Sequence, residues 1–141
     1  MNWIPLALLT ALAFGLYNFC IKLASGSIHQ IAGAVILQVV AAVLGGLLLL
    51  YINLTNQPVP LTAKGIYFSC LAGLFVGGAE ILTFYVFARG VPVSIGTPVI
   101  IGGSILATAL LGVLVLREYL APVQILAIFL IVAGVALLGK T

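Results

Sequence analysis

Five long apolar stretches, separated by short polar ones, run the length of the chain. They cover residues of about 3–21, 28–52, 66–88, 93–116 and 122–138. A helix rises about 1.5 Å per residue and a hydrocarbon core is about 30 Å thick, so runs of this length predict membrane-crossing helices. The interruptions carry turn chemistry. Lys22 and Ser25-Gly26-Ser27 follow the first run, and a stretch from Asn53 to Lys64 with Pro58 and Pro60 follows the second. Two prolines and two asparagines there predict a surface connection. Arg89-Gly90-Val91-Pro92 forms the next turn and Arg117-Glu118-Tyr119 the last. Pro122 falls where a fifth helix would begin, a position where its missing N–H costs nothing. The pattern predicts an all-α integral membrane protein, a bundle of about five transmembrane helices, with residues 1–141 as one domain.

The polar residues inside those runs are few, which makes each informative. Glu80 lies near the middle of the third, only about 4–5 Å past its midpoint and too deep to snorkel. A carboxylate at that depth costs several kcal/mol and marks a functional site by default. Arg89 cannot neutralise it, being nine positions on, about 13 Å along the axis and on the opposite face. Ser69, Gly73, Gly77, Glu80, Phe84 and Phe87 share one face, where small residues followed by an acid and aromatics suit close packing and a cavity wall. The plainer alternative is a protonated structural acid bonded to a neighbouring helix.

In the first run Tyr17 and Asn18 stand near the membrane boundary, and Asn18 most needs a partner. In the second, His29 is interfacial, and Gln38 is deep enough to suggest an interhelix hydrogen bond. The fourth is broken by Gly96, Pro98, Gly102 and Gly103, which membrane helices tolerate where neighbours or water re-satisfy the backbone. Thr97, Ile101, Ser104 and Thr108 fall on a single face of it. That mildly polar stripe reads equally as the wall of a substrate pathway or as a packing seam. The fifth run is purely apolar, which suggests packing rather than chemistry.

Composition agrees with the pattern and narrows the chemistry. Hydrophobic residues make up 65% of the chain and charged residues 5%, against about 25% charged in soluble domains. The net charge of +3 resides between apolar runs and reports topology rather than a nucleic-acid surface. Cys20 and Cys70 both fall inside apolar runs, as buried fillers rather than a disulfide or metal site. The first run lacks a basic leader and a small-residue cleavage site, and is expected to be retained. Asn53-Leu54-Thr55 matches a glycosylation acceptor but abuts a helix end, as chance would have it. No nucleophile–base set, metal-ligand cluster or phosphate-binding glycine loop is present, so an enzyme is not expected and neither is a cofactor.

Five crossings put Lys64 and Arg117 on the side of the N-terminus, and Lys22, Arg89 and Lys140 on the other. Two against three is almost no bias, and positive residues in short loops normally fix orientation. Insertion both ways round is the expectation. Trp3, Tyr51, Tyr67 and Tyr119 all fall at the boundaries of the N-terminal side, as interfacial aromatics should.

The stretch from Thr97-Pro98-Val99 through Leu116-Arg117-Glu118-Tyr119-Leu120-Ala121-Pro122-Val123-Gln124 to Ala133-Gly134-Val135-Ala136-Leu137-Leu138 resembles the closing part of an EamA-type domain of the drug/metabolite transporter superfamily. There an apolar helix with a proline leads into a Gly-Glu-Arg-Leu-like turn, and a last helix has Gln near its start and Gly near its end. Here the turn reads Arg-Glu-Tyr-Leu. Ala13-Phe14-Gly15-Leu16-Tyr17-Asn18-Phe19-Cys20-Ile21-Lys22 is similar to the family's first helix, with Phe14 where tryptophan is common. Typical members have ten helices in two inverted five-helix repeats, so the resemblance implies that this chain is one half of that fold. The short forms are similar in design to small multidrug resistance transporters, which work as antiparallel dimers but carry their glutamate on the first helix. The role of that acid therefore does not carry over to Glu80 by position.

What the resemblance implies is a cavity lined by the first, third and fourth helices. The expected site is Glu80, Tyr17, Asn18, Phe84, Thr97, Ser104 and Thr108. The expected protein is a secondary transporter of small organic molecules or metabolites, multi-pass in the cell (inner) membrane and in contact with the lipid bilayer. It would work as a homodimer, with an antiparallel arrangement and proton coupling left open, and without nucleic acid. The alternatives are a flippase-like subunit for a lipid-linked headgroup and a non-transporting membrane assembly subunit.

Overall fold

The computed structural model describes residues 3–139, so Lys140 lies outside the described residues. The chain is all-helical there, without a strand: α1 (Ile4–Ser25), α2 (Gln30–Leu54), α3 (Ala63–Ala88), α4 (Val93–Leu114) and α5 (Pro122–Leu138). The first four are long and apolar enough to cross a membrane, while α5 has 17 residues. Contacts gather the helices into two units, α1–α3 and α4–α5.

Helix ends follow local chemistry. Thr62 caps α3, its hydroxyl accepting from the Gly65 N–H at 3.1 Å. This cap starts the helix at Ala63, a turn before the apolar run begins at Ile66. α1 runs a turn past Ile21 to Ser25, whose hydroxyl donates to the Lys22 carbonyl at 2.9 Å. α4 stops at Leu114, two residues short of the apolar run, because the chain then folds back on it. The Glu118 N–H donates to the Gly112 carbonyl at 3.1 Å, and the turn is made through Arg117 at φ 56°. Left-handed backbone is costly for any residue with a Cβ. This is the position where the resembling turn of the EamA-type domain has glycine, and the geometry gives the reason for that glycine. At the start of α5, Gln124 Oε1 accepts from the Ala121 N–H at 2.8 Å.

In the first unit α3 packs against both α1 and α2. The core is small: Ile21, Ala34, Phe84 and Phe87, with Gly33 beside them. A Cβ on Gly33 would fall 2.5 Å from Cε1 of Phe84, so this glycine is what lets the ring lie against α2. In the second unit Gly102 plays the same part for Val135 of α5, whose Cγ2 occupies the space a Cβ would need. Large apolar side chains such as Leu47, Phe75 and Leu130 are exposed, as a hydrocarbon solvent permits. Lipid gives helices no hydrophobic reason to associate, so close approach at small residues does the packing.

Candidate functional site

The α1–α3 unit buries four polar side chains: Asn18, Ser25, Glu80 and Thr83. Three of them are satisfied by their own helix. Asn18 Nδ2 donates to the Phe14 carbonyl at 2.8 Å, Ser25 Oγ to Lys22, and Thr83 Oγ1 to the Ala79 carbonyl at 2.8 Å. Asn18 thus finds a bond inside α1 rather than across to a neighbour. Glu80 differs: it is 9% exposed, and its Oε2 is buried with no hydrogen-bond partner. The Tyr17 hydroxyl shares that condition. A buried polar atom without a bond costs about 1–3 kcal/mol, so two in one small unit call for a physical reason.

Lys22 fixes the heights of these groups. Its ammonium donates to the Phe87 carbonyl at 3.2 Å and lies 5.9 Å from the centre of the Phe87 ring. Both residues are near the C-terminal ends of their helices, so α1 and α3 run in the same direction in register. A cation on the last carbonyls of a helix is favourable twice over, as a hydrogen bond and against the helix dipole. Glu80 lies two turns before Phe87, roughly 10 Å along the axis, beyond the reach of that ammonium. The sole cation that α1 offers is held away from the acid.

Tyr17, Cys20 and Ile21 of α1, Gly33 and Leu37 of α2 and Phe84 of α3 line a cavity of about 340 Å³. Its walls are almost entirely apolar, and Tyr17, in edge-to-face contact with Phe14 at 6.0 Å, is the residue that brings a hydroxyl to it. Of the face Ser69, Gly73, Gly77, Glu80, Phe84 and Phe87, the last three are buried and Ser69 and Gly73 are exposed. The packed part of that face is its C-terminal half.

In the α4–α5 unit, Thr97 is half-buried with an unpartnered Oγ1. Ser104 and Thr108 are exposed, Ser104 donating to the Ile101 carbonyl at 2.7 Å. The residues α4 buries are Gly96, Gly102 and Gly112. Ser104 and Thr108 are therefore not the seam with α5, which has Gly102 under Val135, while Gly112 lies under the Glu118 carboxylate of the following turn. Tyr17, Glu80, Asn18 and Phe84 belong to one unit, and Thr97, Ser104 and Thr108 to the other.

Two features were hidden in the sequence. Gly33 resembles any other helical glycine until Phe84 is placed against it. Lys22 and Phe87 are 65 residues apart, and only the parallel register brings them together. Among the described residues no group of three or more His, Cys, Asp or Glu could hold a metal ion.

The EamA-like transporter family model matches residues 1–140. The chain belongs to the EamA-like transporter family. It is accordingly a membrane transporter of the drug/metabolite superfamily, whose members are transporters rather than enzymes. Comparison with curated proteins and with solved structures gives no match.

Proposed function

We propose that this EamA-like chain is a proton-coupled secondary transporter of small organic molecules, acting as a homodimer with all five helices crossing the inner membrane. One observation carries the reading: Glu80 is buried with Oε2 unbonded, whereas Asn18, Ser25 and Thr83, the other fully buried polar residues of its unit, each make a bond on their own helix. A structural acid would be bonded. A working acid needs its valence free for a proton or a substrate group. Ionising a buried carboxyl without a partner is expensive, so in this reading the empty site keeps a proton on it. A cationic or polar substrate favours the ionised form and displaces the proton, which links the two fluxes. Tyr17 and Phe84, which line the adjoining cavity, hold the apolar part of the substrate in this reading. Asn18, one turn from Phe14 on the same helix, supports that wall. Thr97, Ser104 and Thr108 are proposed as pathway lining on α4.

A dimer would supply a second five-helix repeat, and transporters commonly place a midplane site between two inverted repeats. The test is flux into proteoliposomes from a panel of metabolites, with and without a pH gradient. Glu80→Gln keeps size and hydrogen bonding but cannot titrate; it should fold and dimerise and lose pH-driven flux. Glu80→Asp should keep part of it with a displaced pH optimum. Wild-type flux from Glu80→Gln between pH 5 and 9 would end the coupling proposal.

A further inference from the structure

After α2 the chain turns through Asn56 at φ 53° and comes back along the helix it has left. Val59 and Leu61 wall a groove of about 380 Å³ whose other side is Gly46, Leu49, Leu50 and Asn53 of α2. Leu61 also walls a second groove, of about 480 Å³, which follows Thr62, Ile66, Ser69 and Cys70 of α3. The α2 residues recur every three or four positions and share one face, and so do those of α3. Each face runs inward from the same loop for roughly 10–12 Å. The exposed Leu61 stands between the two grooves, and most of what lines them is apolar.

Tyr51 and Tyr67, both exposed, lie near the mouths, where aromatics mark a membrane–water boundary. Lys64 is exposed at the same level, in the first turn of α3 between Thr62 and Gly65, which line the second groove. Glu80 is the one acidic side chain of the α1–α3 unit, sixteen residues and roughly 24 Å further along the helix. The charge of Lys64 is therefore not neutralised within its unit.

We propose that the two grooves hold the two acyl chains of one anionic phospholipid of the surrounding bilayer, astride Leu61, with its phosphate at Lys64. The grooves match the chains in number, both open at one boundary, and the cation stands where the headgroup falls. An acyl chain is as well solvated by other lipids as by leucine, so the grooves alone accept any two-chain lipid. The preference comes from the charge. The bound lipid spans the α2–α3 contact and braces it from the loop side. None of this depends on the role given to Glu80.

Native mass spectrometry of the full chain tests the proposal with three added probes. These are dioleoyl phosphatidylglycerol, dioleoyl phosphatidylethanolamine and the single-chain oleoyl lysophosphatidylglycerol. The wild type should retain phosphatidylglycerol over phosphatidylethanolamine by about fivefold, the worth of one cation near an anionic headgroup. It should also retain phosphatidylglycerol over the lysolipid. Lys64→Gln should abolish the headgroup preference and keep the preference for two chains. Gly46→Leu adds a side chain where a Cβ meets nothing within 4 Å, so it should fold and bring both two-chain lipids down toward the lysolipid. Ser69→Leu, at an exposed position of the other groove, should do the same and serves if Gly46→Leu does not fold. Equal retention of the two headgroups by the wild type, or of one-chain and two-chain lipid, overturns the proposal. So does a changed oligomeric state in Gly46→Leu with lipid retention unaltered, which would assign the grooves to a second copy of the chain.

Discussion

The two units of this protein are built from helices of similar apolarity, yet they solve burial differently. The α1–α3 unit buries four polar side chains and leaves one of them, Glu80, unsatisfied at Oε2. The α4–α5 unit brings its helices together at glycine, with Gly102 under Val135, and α5 buries nothing completely. The difference teaches where a membrane protein keeps its chemistry. A glycine seam is cheap and self-sufficient. A buried acid persists only where something beyond stability retains it, since a hydrocarbon side chain in its place would pack at lower cost.

The comparison breaks most visibly at the two acids. Glu80→Gln should abolish pH-driven flux, whereas Glu118→Gln, at an exposed turn, should leave it near wild type in the same liposome assay. Next come the two tight glycines. Gly102→Ala should cost about 2–3 kcal/mol in thermal or denaturant unfolding, because Val135 must move, and Val135→Ala should recover most of it. Gly33→Ala should cost a similar amount by displacing the Phe84 ring, and should also reshape the cavity. Gly45→Ala, with open space around it, is the control and should be neutral or stabilising by up to about 1 kcal/mol. Lys22→Met removes a charged hydrogen bond and a ring contact and should cost about 1–2 kcal/mol, a loss that would loosen α1 from α3 without touching α4–α5. Smallest is Arg117→Gly, which should raise stability by about 1 kcal/mol through relief of a left-handed backbone.

The helices were legible because long apolar runs allow a membrane chain little else. Glu80 was legible for the same reason: an acid inside such a run stands out, whether it works or only bonds a neighbouring helix. What the sequence hid were relations between helices. Helical spacing groups Thr97, Ser104 and Thr108 on a face, but does not say that α5 packs elsewhere. Nor does it separate Gly33 and Gly102, which are pressed by neighbours, from Gly45, Gly73 or Gly103, which are not. Asn18 advertised a need for a partner, yet its own Phe14 carbonyl lay within reach, and local bonds of this kind compete with any tertiary one. The Lys22–Phe87 pin depends on a register that no spacing within one helix encodes.

Arg117 occupies a backbone conformation better suited to glycine, so the folded protein is less stable for having it. The same residue is one of only five basic side chains in the chain. Those few cations are the signal by which the insertion machinery orients each segment, and they are read before any helix has found its neighbour. A glycine at 117 would favour the finished turn and erase a fifth of that signal. The turn thus carries a small permanent strain on behalf of an event that is over by the time the strain exists, and replacing Arg117 to relieve it can be expected to change the balance of orientations in which the chain inserts.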